Sequence, residues 1–392
     1  MKEGWTYKKL GEIATEMYRG SGIKRDQITA TGCPCVRYGE IYTTYNIAFE
    51  KCVSRTIEDN INPRKYFEHG DLLFAITGES IEDIGKTIAY IGHEKCLLGG
   101  DIVCMKHKEN PKYLSYALSS REAIKQKGLG KTKLKVVHTS IPSLQQIVIP
   151  IPPLSEQRSI VARLDAAFAG IDSLKANAEK QLSEAHQLFQ AELTECMRPK
   201  EGWEEKNIGE IFTTYAGGTP SKSNKDYYEG GTIPWIRSGE VCKKYITESE
   251  MFITEKGMNN SSAKYYPPYT VLVAMYGATA AQVGILKFKA TSNQAVCGIL
   301  PHNDFIPEYV YYWFIRIQKV LAAQAQGGAQ PNISQEKIKR VAIPIITLKE
   351  QKEIVSRLDS LSAKVKQLED VYRKTLAECD ALKQAMLREV FE

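Results

Sequence analysis

Nine cysteines, six histidines and two glycine–lysine loops are the residues of this 392-residue chain best suited to carry chemistry. Cys33 and Cys35 form the one close thiol pair, as Cys-Pro-Cys. One intervening residue is a poor zinc spacing, and no second Cys or His pair follows at a suitable distance. The thiols therefore read as reduced cysteines of a cytosolic protein. His69, His93, His107, His138, His186 and His302 form no local metal or triad pattern. The stretch Gly78 to Thr87 follows an apolar run and ends Gly-Lys-Thr, as a phosphate loop would. A true phosphate loop keeps four residues between its glycines, so that successive N–H groups wrap the phosphates. Gly78 and Gly85 lie further apart than that, and Glu79, Glu82 and Asp83 would repel a phosphate. Gly130-Lys131-Thr132 fails as well, because Lys125 stands where the first glycine belongs.

Tyr266-Pro267-Pro268-Tyr269 is similar to the Pro-Pro-aromatic loop of amino-methyltransferases, but Tyr266 replaces the Asn, Asp or Ser that would hold the target amino group. No glycine-rich cofactor turn accompanies it, so it reads as a turn leading into a strand at Val271. Catalysis is thus poorly served by local motifs.

The clearest feature is that the chain is written twice, in unchanged order. Glu3-Gly4-Trp5 recurs as Glu201-Gly202-Trp203, and Gly11-Glu12-Ile13 as Gly209-Glu210-Ile211. Pro34, Arg37, Gly39, Glu40 and Tyr45 match Pro234, Arg237, Gly239, Glu240 and Tyr245, and Gly78 and Gly85 match Gly277 and Gly284. Residues 149–165 then recur at 343–359, sharing Ile-Pro-Ile, Leu, Glu-Gln, Ile-Val and Arg-Leu-Asp. The period is half the chain, far longer than the ~20–50 residues of a solenoid unit. Each copy has a variable part and a tail, which divides the chain into 1–150, 151–200, 201–345 and 346–392.

Both tails read as long helices. The first has Ser155 as its expected N-cap, prolines ahead of it and no proline until Pro199. Its apolar stripe runs Val161, Leu164, Phe168, Ile171, Ala178, Leu182, Ala185, Phe189, Cys196. At 1.5 Å per residue it spans about 63 Å. The second tail, Lys349 to Phe391, repeats the stripe from Val355 to Met386 without Gly or Pro. A stripe this narrow and long predicts a coiled-coil seam rather than a globular core face. The expected partner of each helix is the other, packed antiparallel. The variable parts read as mixed α and β. Strands are expected at Leu72–Ile76, Thr87–Ile91, Ile102–Met105, Ile147–Ile151 and Val271–Met275, and helices at Tyr113–Gln126 and Glu308–Gln324. The fold class is α+β: two globular parts joined by two long antiparallel helices, with an internal pseudo-twofold repeat.

Composition agrees with this. Apolar residues at 43% and charged residues at 25% exclude wholesale disorder and collagen-like repeats. No run approaches the ~18 consecutive apolar residues of a membrane span. Met1 to Leu10 is polar, so an unexported, cytoplasmic protein is expected. The net charge of +6 lies mostly in the variable parts, which suits nucleic acid weakly.

Taken together, the Gly-Trp starts, the Ile-Pro-Ile-Pro-Pro-Leu-Ser-Glu-Gln-Arg-Ser-Ile-Val-Ala-Arg-Leu-Asp stretch at 149–165 with its echo, and the doubled unit make the whole chain resemble the specificity subunit of type I restriction–modification systems. Gly217-Gly218-Thr219-Pro220 followed by Ile233-Pro234-Trp235-Ile236-Arg237-Ser238-Gly239-Glu240 adds to the likeness; the first copy departs from it with Arg19-Gly20-Ser21-Gly22. The resemblance implies a non-catalytic DNA-binding subunit in which each variable part is a target recognition domain reading half of a bipartite duplex site. The helices would be a spacer setting the gap between the halves. The implied partners are double-stranded DNA, two methyltransferase subunits and, in complete systems, two restriction subunits. S-adenosylmethionine and ATP with Mg would belong to those partners, leaving no cofactor, metal or catalytic residue in this chain.

Under that resemblance, base edges are read by side chains while Lys and Arg on phosphates fix register. In the first part the candidates are Glu79, Ser80, Glu82, Asp83 and Lys86 in the loop after the strand at Leu72, and Lys131, Lys133, Lys135 and His138 in a basic stretch. In the second they are Tyr276, Thr279, Gln282, Ser292, Asn293, Gln294, Gln330 and Asn332, of which Asn293, Gln294, Gln330 and Asn332 carry amides that could pair bidentately with adenine. Arg37 and its echo Arg237 complete the set. The competing readings are a DNA methyltransferase or nuclease with dispersed motifs, and a coiled-coil adaptor without DNA specificity.

Overall fold

The computed structural model describes residues 4–81, 83–129, 137–323 and 332–392. The chain divides into two compact units, Met1–Glu179 with Arg373–Glu392, and Lys180–Tyr372. Both divisions fall inside the long helices, which run Leu154–Cys196 and Leu348–Phe391. Neither is long and apolar enough to cross a membrane.

The first unit is layered. Its main sheet has the order Glu16–Arg19, Ile102–Lys106, Leu72–Ala75, Thr87–Tyr90, Ala48–Phe49. A smaller sheet has the order Ile28–Thr29, Ser54–Thr56, Cys33–Val36, Cys96–Leu98, Tyr66–Phe67. The central strands are apolar on both faces because both are covered. Leu72 and Phe74 join a core with the helices, whereas Leu73 and Ala75 join Val36, Ile41 and Phe67 on the other side. That is the period-two alternation of a pleated strand. The second unit repeats the plan: Thr214–Ala216, Val296–Ile299, Val271–Ala274, Val283–Leu286, Tyr245–Ile246 in the main sheet and Phe252–Ile253, Ile233–Ile236, Thr291–Ser292 in the small one. In each unit the start of the copy pairs antiparallel with the strand before its helix: Thr6 with Ile151, and Glu204 with Ile345.

Hydrogen-bond register corrects two equivalences drawn from residue identity. Gly85 N donates to Ala75 O, and Ala281 N donates to Ala274 O, both at 2.9 Å. Both residues have positive φ, 70° and 69°. Ala281, and not Gly284, is therefore the counterpart of Gly85; Gly284 lies within a strand. Likewise Tyr245 pairs with Ile285 as Ala48 pairs with Ala89, so Tyr45 has no counterpart in Tyr245. Loop lengths differ between copies, and identity matching slid across them.

Two local expectations also change. The helix expected over Tyr113–Gln126 is broken into Pro111–Ala117 and Arg121–Gly128. Ser119 Oγ donates to Ser115 O, Ser120 Oγ donates to Ala117 O, and Ser120 takes the N-cap of the second piece. Such short hydroxyls compete with the helical ladder. The second copy has Ile315 and Arg316 further along its matching helix, which is unbroken from Pro307 to Ala323. The first long helix starts at Leu154, ahead of the expected Ser155 cap. Its twin starts with a reciprocal cap, Thr347 N to Glu350 Oε2 at 2.9 Å and Glu350 N to Thr347 Oγ1 at 3.3 Å.

The repeated Glu-Gln and Arg-Leu-Asp residues are docking groups. Gln157, fully buried, donates to Pro152 O (2.9 Å) and accepts from Asn110 N (3.0 Å). Gln351, also fully buried, donates to Ile346 O (3.0 Å) and accepts from Ile306 N (2.7 Å). Asp165 takes the Tyr116 hydroxyl (2.8 Å) and the Lys112 ammonium. Asp359 takes the Tyr312 hydroxyl and the Lys244 ammonium. Each helix thus begins by docking on its own domain, a role the stripe did not announce.

The helices run antiparallel within each unit. In the first, Lys383 pairs with Asp172 at 2.5 Å and Lys175 pairs with Asp380. Leu387, Val390 and Phe391 enter the core with Leu164, Phe168 and Tyr113. In the second, Arg357 pairs with Glu192, and His186 lies 2.9 Å from Glu369. Leu193 and Met197 enter that unit's core beside Leu358. The stripe is therefore a seam in part and a core face at its ends.

Candidate nucleic-acid interface

In the second unit a cleft of about 400 Å³ is lined by Thr219, Lys222, Tyr228, Trp235, Arg237, Met251, Asn293 and Gln294. Three of the expected contact residues meet here. Arg237 follows the strand Ile233–Ile236 and is held by Glu240, whose Oε1 accepts from Arg237 N (2.9 Å) and Nε (3.4 Å). Glu250 also pairs with it. Asn293 and Gln294 follow the neighbouring strand; Asn293 Oδ1 caps Ala295 N at 3.1 Å, and Gln294 Oε1 accepts from Thr219. The glycine turn Gly217–Pro220 forms the third wall. A Cβ on Gly217 would collide with the carbonyls of Ser292 and Asn293, and one on Gly218 with Ala263 N. Only glycines permit that approach. The Trp235 indole locks the turn by donating to Gly218 O at 2.9 Å.

Ser292, in contrast, is fully buried, with its hydroxyl donating to the Tyr266 hydroxyl at 3.1 Å. It supports the cleft from within. Lys222 and Met251 were not named from sequence, and Thr219 and Trp235 entered it only within the motif that carries the resemblance. The signal that could have found them was the Gly-Gly-Thr-Pro turn, which packs against the strand ends carrying Arg237 and Asn293.

A second group gathers at the end of the central strand. Tyr276, 37% exposed, bridges to Asn332. Thr279 folds back on Tyr276 O (3.1 Å). Gln282 sits beneath, half-buried, and its Oε1 is a buried acceptor without a partner among the described residues. Such an orphan costs about 1–3 kcal/mol and marks a position where a donor would be welcome.

The first unit places matching residues alike. Thr77 and Gly78 pair with His138 and Val137, and His138 Nδ1 lies 3.0 Å from Thr77 Oγ1. Glu79 is exposed, while Ser80 Oγ donates to Asp83 Oδ2 (2.6 Å) and accepts from Asp83 N (3.0 Å). Arg37 is held by Glu40 through Nε (3.0 Å), and the buried Glu40 also accepts from Ser54 Oγ (2.7 Å). Lys86 is turned inward: its ammonium donates to the Tyr45 (3.0 Å) and Tyr42 (3.3 Å) carbonyls, and burial lowers its pKa. It braces the loop rather than tipping it. Glu82, Lys131, Lys133, Lys135 and Gln330 lie outside the described residues.

Beneath the same loop, Lys127 is fully enclosed. It donates to Leu118 O (2.8 Å) and Thr87 Oγ1 (3.1 Å), and its stem lies against Gly85. Burial, with no counter-ion among the described residues, pushes its pKa down to about 7. Between that value and the ordinary lysine range the folded chain binds fewer protons than the unfolded one, so stability rises with pH there. The penalty is complete below pH 7. We expect urea denaturation between pH 7 and 9 to show first-unit stability rising by up to about 1.4 kcal/mol per pH unit relative to Lys127→Met. Parallel pH profiles would show that Lys127 stays charged when folded.

Residues 2–184 and 200–374 match the type I restriction modification DNA specificity domain. The chain is 31% identical over 228 residues to the type I restriction enzyme EcoR124I/EcoR124II specificity subunit of Escherichia coli, covering 55% of each. It is 22% identical to the StySPI specificity subunit of Salmonella potsdam over all of this chain and 89% of that one. The chain spans about half the length of the first relative. Among solved structures, a chain from a study of complex assembly and conformational transition of the type I R-M system shares the fold with a TM-score of 0.80, 20% identity and coverage of 99% of this chain and 98% of that one. The HsdS subunit of Thermoanaerobacter tengcongensis aligns with a TM-score of 0.57, 19% identity and coverage of 100% and 97%.

Proposed function

Since this chain belongs to the type I restriction modification DNA specificity family, we propose that it reads a bipartite duplex DNA site with its two globular parts and directs partner methyltransferase and restriction subunits to it. One observation carries this reading. Both units build the same frame, with a glycine turn, an Arg–Glu brace and a loop at the end of the central strand, yet they furnish the loop with different side chains. Glu79, Ser80 and Asp83 stand in one, Tyr276 and Thr279 in the other. A constant frame with variable tips suits two readers of two different half-sites. The carboxylates can accept from cytosine N4, and the amides of Asn293 and Gln294 can pair with adenine N6 and N7.

The long helices act as the spacer and as docking rods for the methyltransferase. Leu174 and Leu382 in one unit, and Leu188, Leu368 and Val371 in the other, are 40% or more exposed on them. The methyl donor and ATP are bound by the partner subunits, and the assembly works on cytoplasmic DNA.

The test is methylation mapping of genomic DNA in cells expressing the chain with its neighbouring methyltransferase subunit, against the methyltransferase alone. A split motif with a fixed unspecified gap, methylated only when the chain is present, is the expected result. An unchanged pattern despite co-purification of the two proteins would overturn the reading.

A further inference from the structure

Each unit carries a second repeated construction, outside the reading loops. In the first, Lys65 Nζ lies 5.8 Å above the ring of Tyr18, and Lys95 Nζ 4.4 Å above the ring of Tyr66. In the second, Lys264 lies 5.2 Å above Tyr215 and Lys289 4.0 Å above Tyr265. The two ladders are built alike: the Tyr18 hydroxyl donates to Tyr66 O, and the Tyr215 hydroxyl to Tyr265 O. All four lysines are exposed, and none is in an ion pair among the described residues. In the first unit Lys106 pairs with Glu68 (2.9 Å) and Asp71 (3.2 Å) and Arg64 with Asp59, while Glu16 and Glu68 line the same groove as Lys65 and Lys95. A ring face attracts an ammonium without neutralising it. Each ladder is therefore a pair of positioned ammonium groups with no direct ion pair among the described residues.

Their place in the fold is also shared. Tyr18 lies on the strand Glu16–Arg19 that feeds Gly20–Gly22, and Lys65 comes two residues after Pro63, whose carbonyl accepts from Ser21. Tyr215 lies on the strand feeding Gly217–Pro220, and Lys264 follows Ala263, which abuts Gly218. The ladder begins where the glycine turn ends.

We propose that Lys65 with Lys95, and Lys264 with Lys289, are phosphate clamps that hold the DNA backbone where it leaves each reading surface. This rests on the DNA-binding reading above and assigns its sequence-independent part. Tip residues differ between the units because they face different bases; the ladder is the same in both because phosphates are the same everywhere.

The experiment measures binding of the chain–methyltransferase complex to duplexes with and without the mapped site across a salt series. Each phosphate contact adds about 0.9 to the slope of log K against log salt. Lys65→Met with Lys95→Met should lower the slope by about 2, weaken both duplexes by a similar factor, and leave the methylated motif unaltered. Lys65→Arg with Lys95→Arg should restore slope and affinity, which a packing role for the lysine stem would not require. An unchanged slope in the methionine variant, or a loss confined to the cognate duplex, overturns the clamp. A wild-type complex with no preference for any site would instead sink the specificity reading, while the slope difference would still report on the clamp.

Discussion

Replacing Phe391 with alanine is expected to destabilise the first globular unit by about 3–5 kcal/mol, although this residue lies at the opposite end of the chain from that unit's strands. Phe391 is 5% exposed and packs edge-on to Tyr113, with ring centroids 5.5 Å apart. Leu387 and Val390 lie beside it in the same core as Leu72, Phe74 and Met105. The following residue adds a polar tie, since Glu392 Oε1 accepts from Glu122 N (2.9 Å) at the start of the helix Arg121–Gly128. Removing the ring leaves a cavity among side chains held on three other elements, and such sites collapse poorly. Hydrogen exchange gives the cleanest measurement. Amides of Leu72–Ala75 and Ile102–Lys106 should lose protection by the full loss of stability, whereas those of Val271–Ala274 should not. Unchanged protection in the first group would show that the helix end merely rests on the surface.

The second large effect concerns specificity. Asn293→Ala with Gln294→Ala should relax base selection in one half of the methylated motif and leave the other half intact. Both amides line the cleft beside Arg237, on a turn that Gly217 and Gly218 press against the strand end. A bidentate amide–adenine pair discriminates by about 1–3 kcal/mol, which is roughly one to two decades of preference at that position. Each unit buries its own cores, so the effect is expected in the half-site read by the second unit. Methylation mapping would show degeneracy confined to one half-site. Degeneracy in both halves, or a motif that stays sharp throughout, would remove these amides from base reading.

The doubling of the unit, the two long helices and the frame of the candidate interface were legible in residue order alone. Each of these is written in local periodicity or in repeated identities: the 3–4 spacing of apolar residues, the echo of 149–165, and the Arg-x-Gly-Glu brace at Arg37 and Arg237. Backbone geometry propagates such patterns without reference to distant residues. Tertiary structure alone decided what the patterns meet. The apolar stripe looks the same whether it faces a partner helix or a globular core, so only the path of the chain could send Phe391 into the first core and Met197 into the second. Polar loop residues are equally ambiguous, because a lysine stem can reach water or a carbonyl. Lys86 and Ser292 turned inward where backbone acceptors and the Tyr266 hydroxyl awaited them, while Asn293 and Gln294 turned to the cleft. The Lys–Tyr ladders were invisible for a related reason: each joins residues from three separated segments, which sequence spacing does not relate and sheet pairing does.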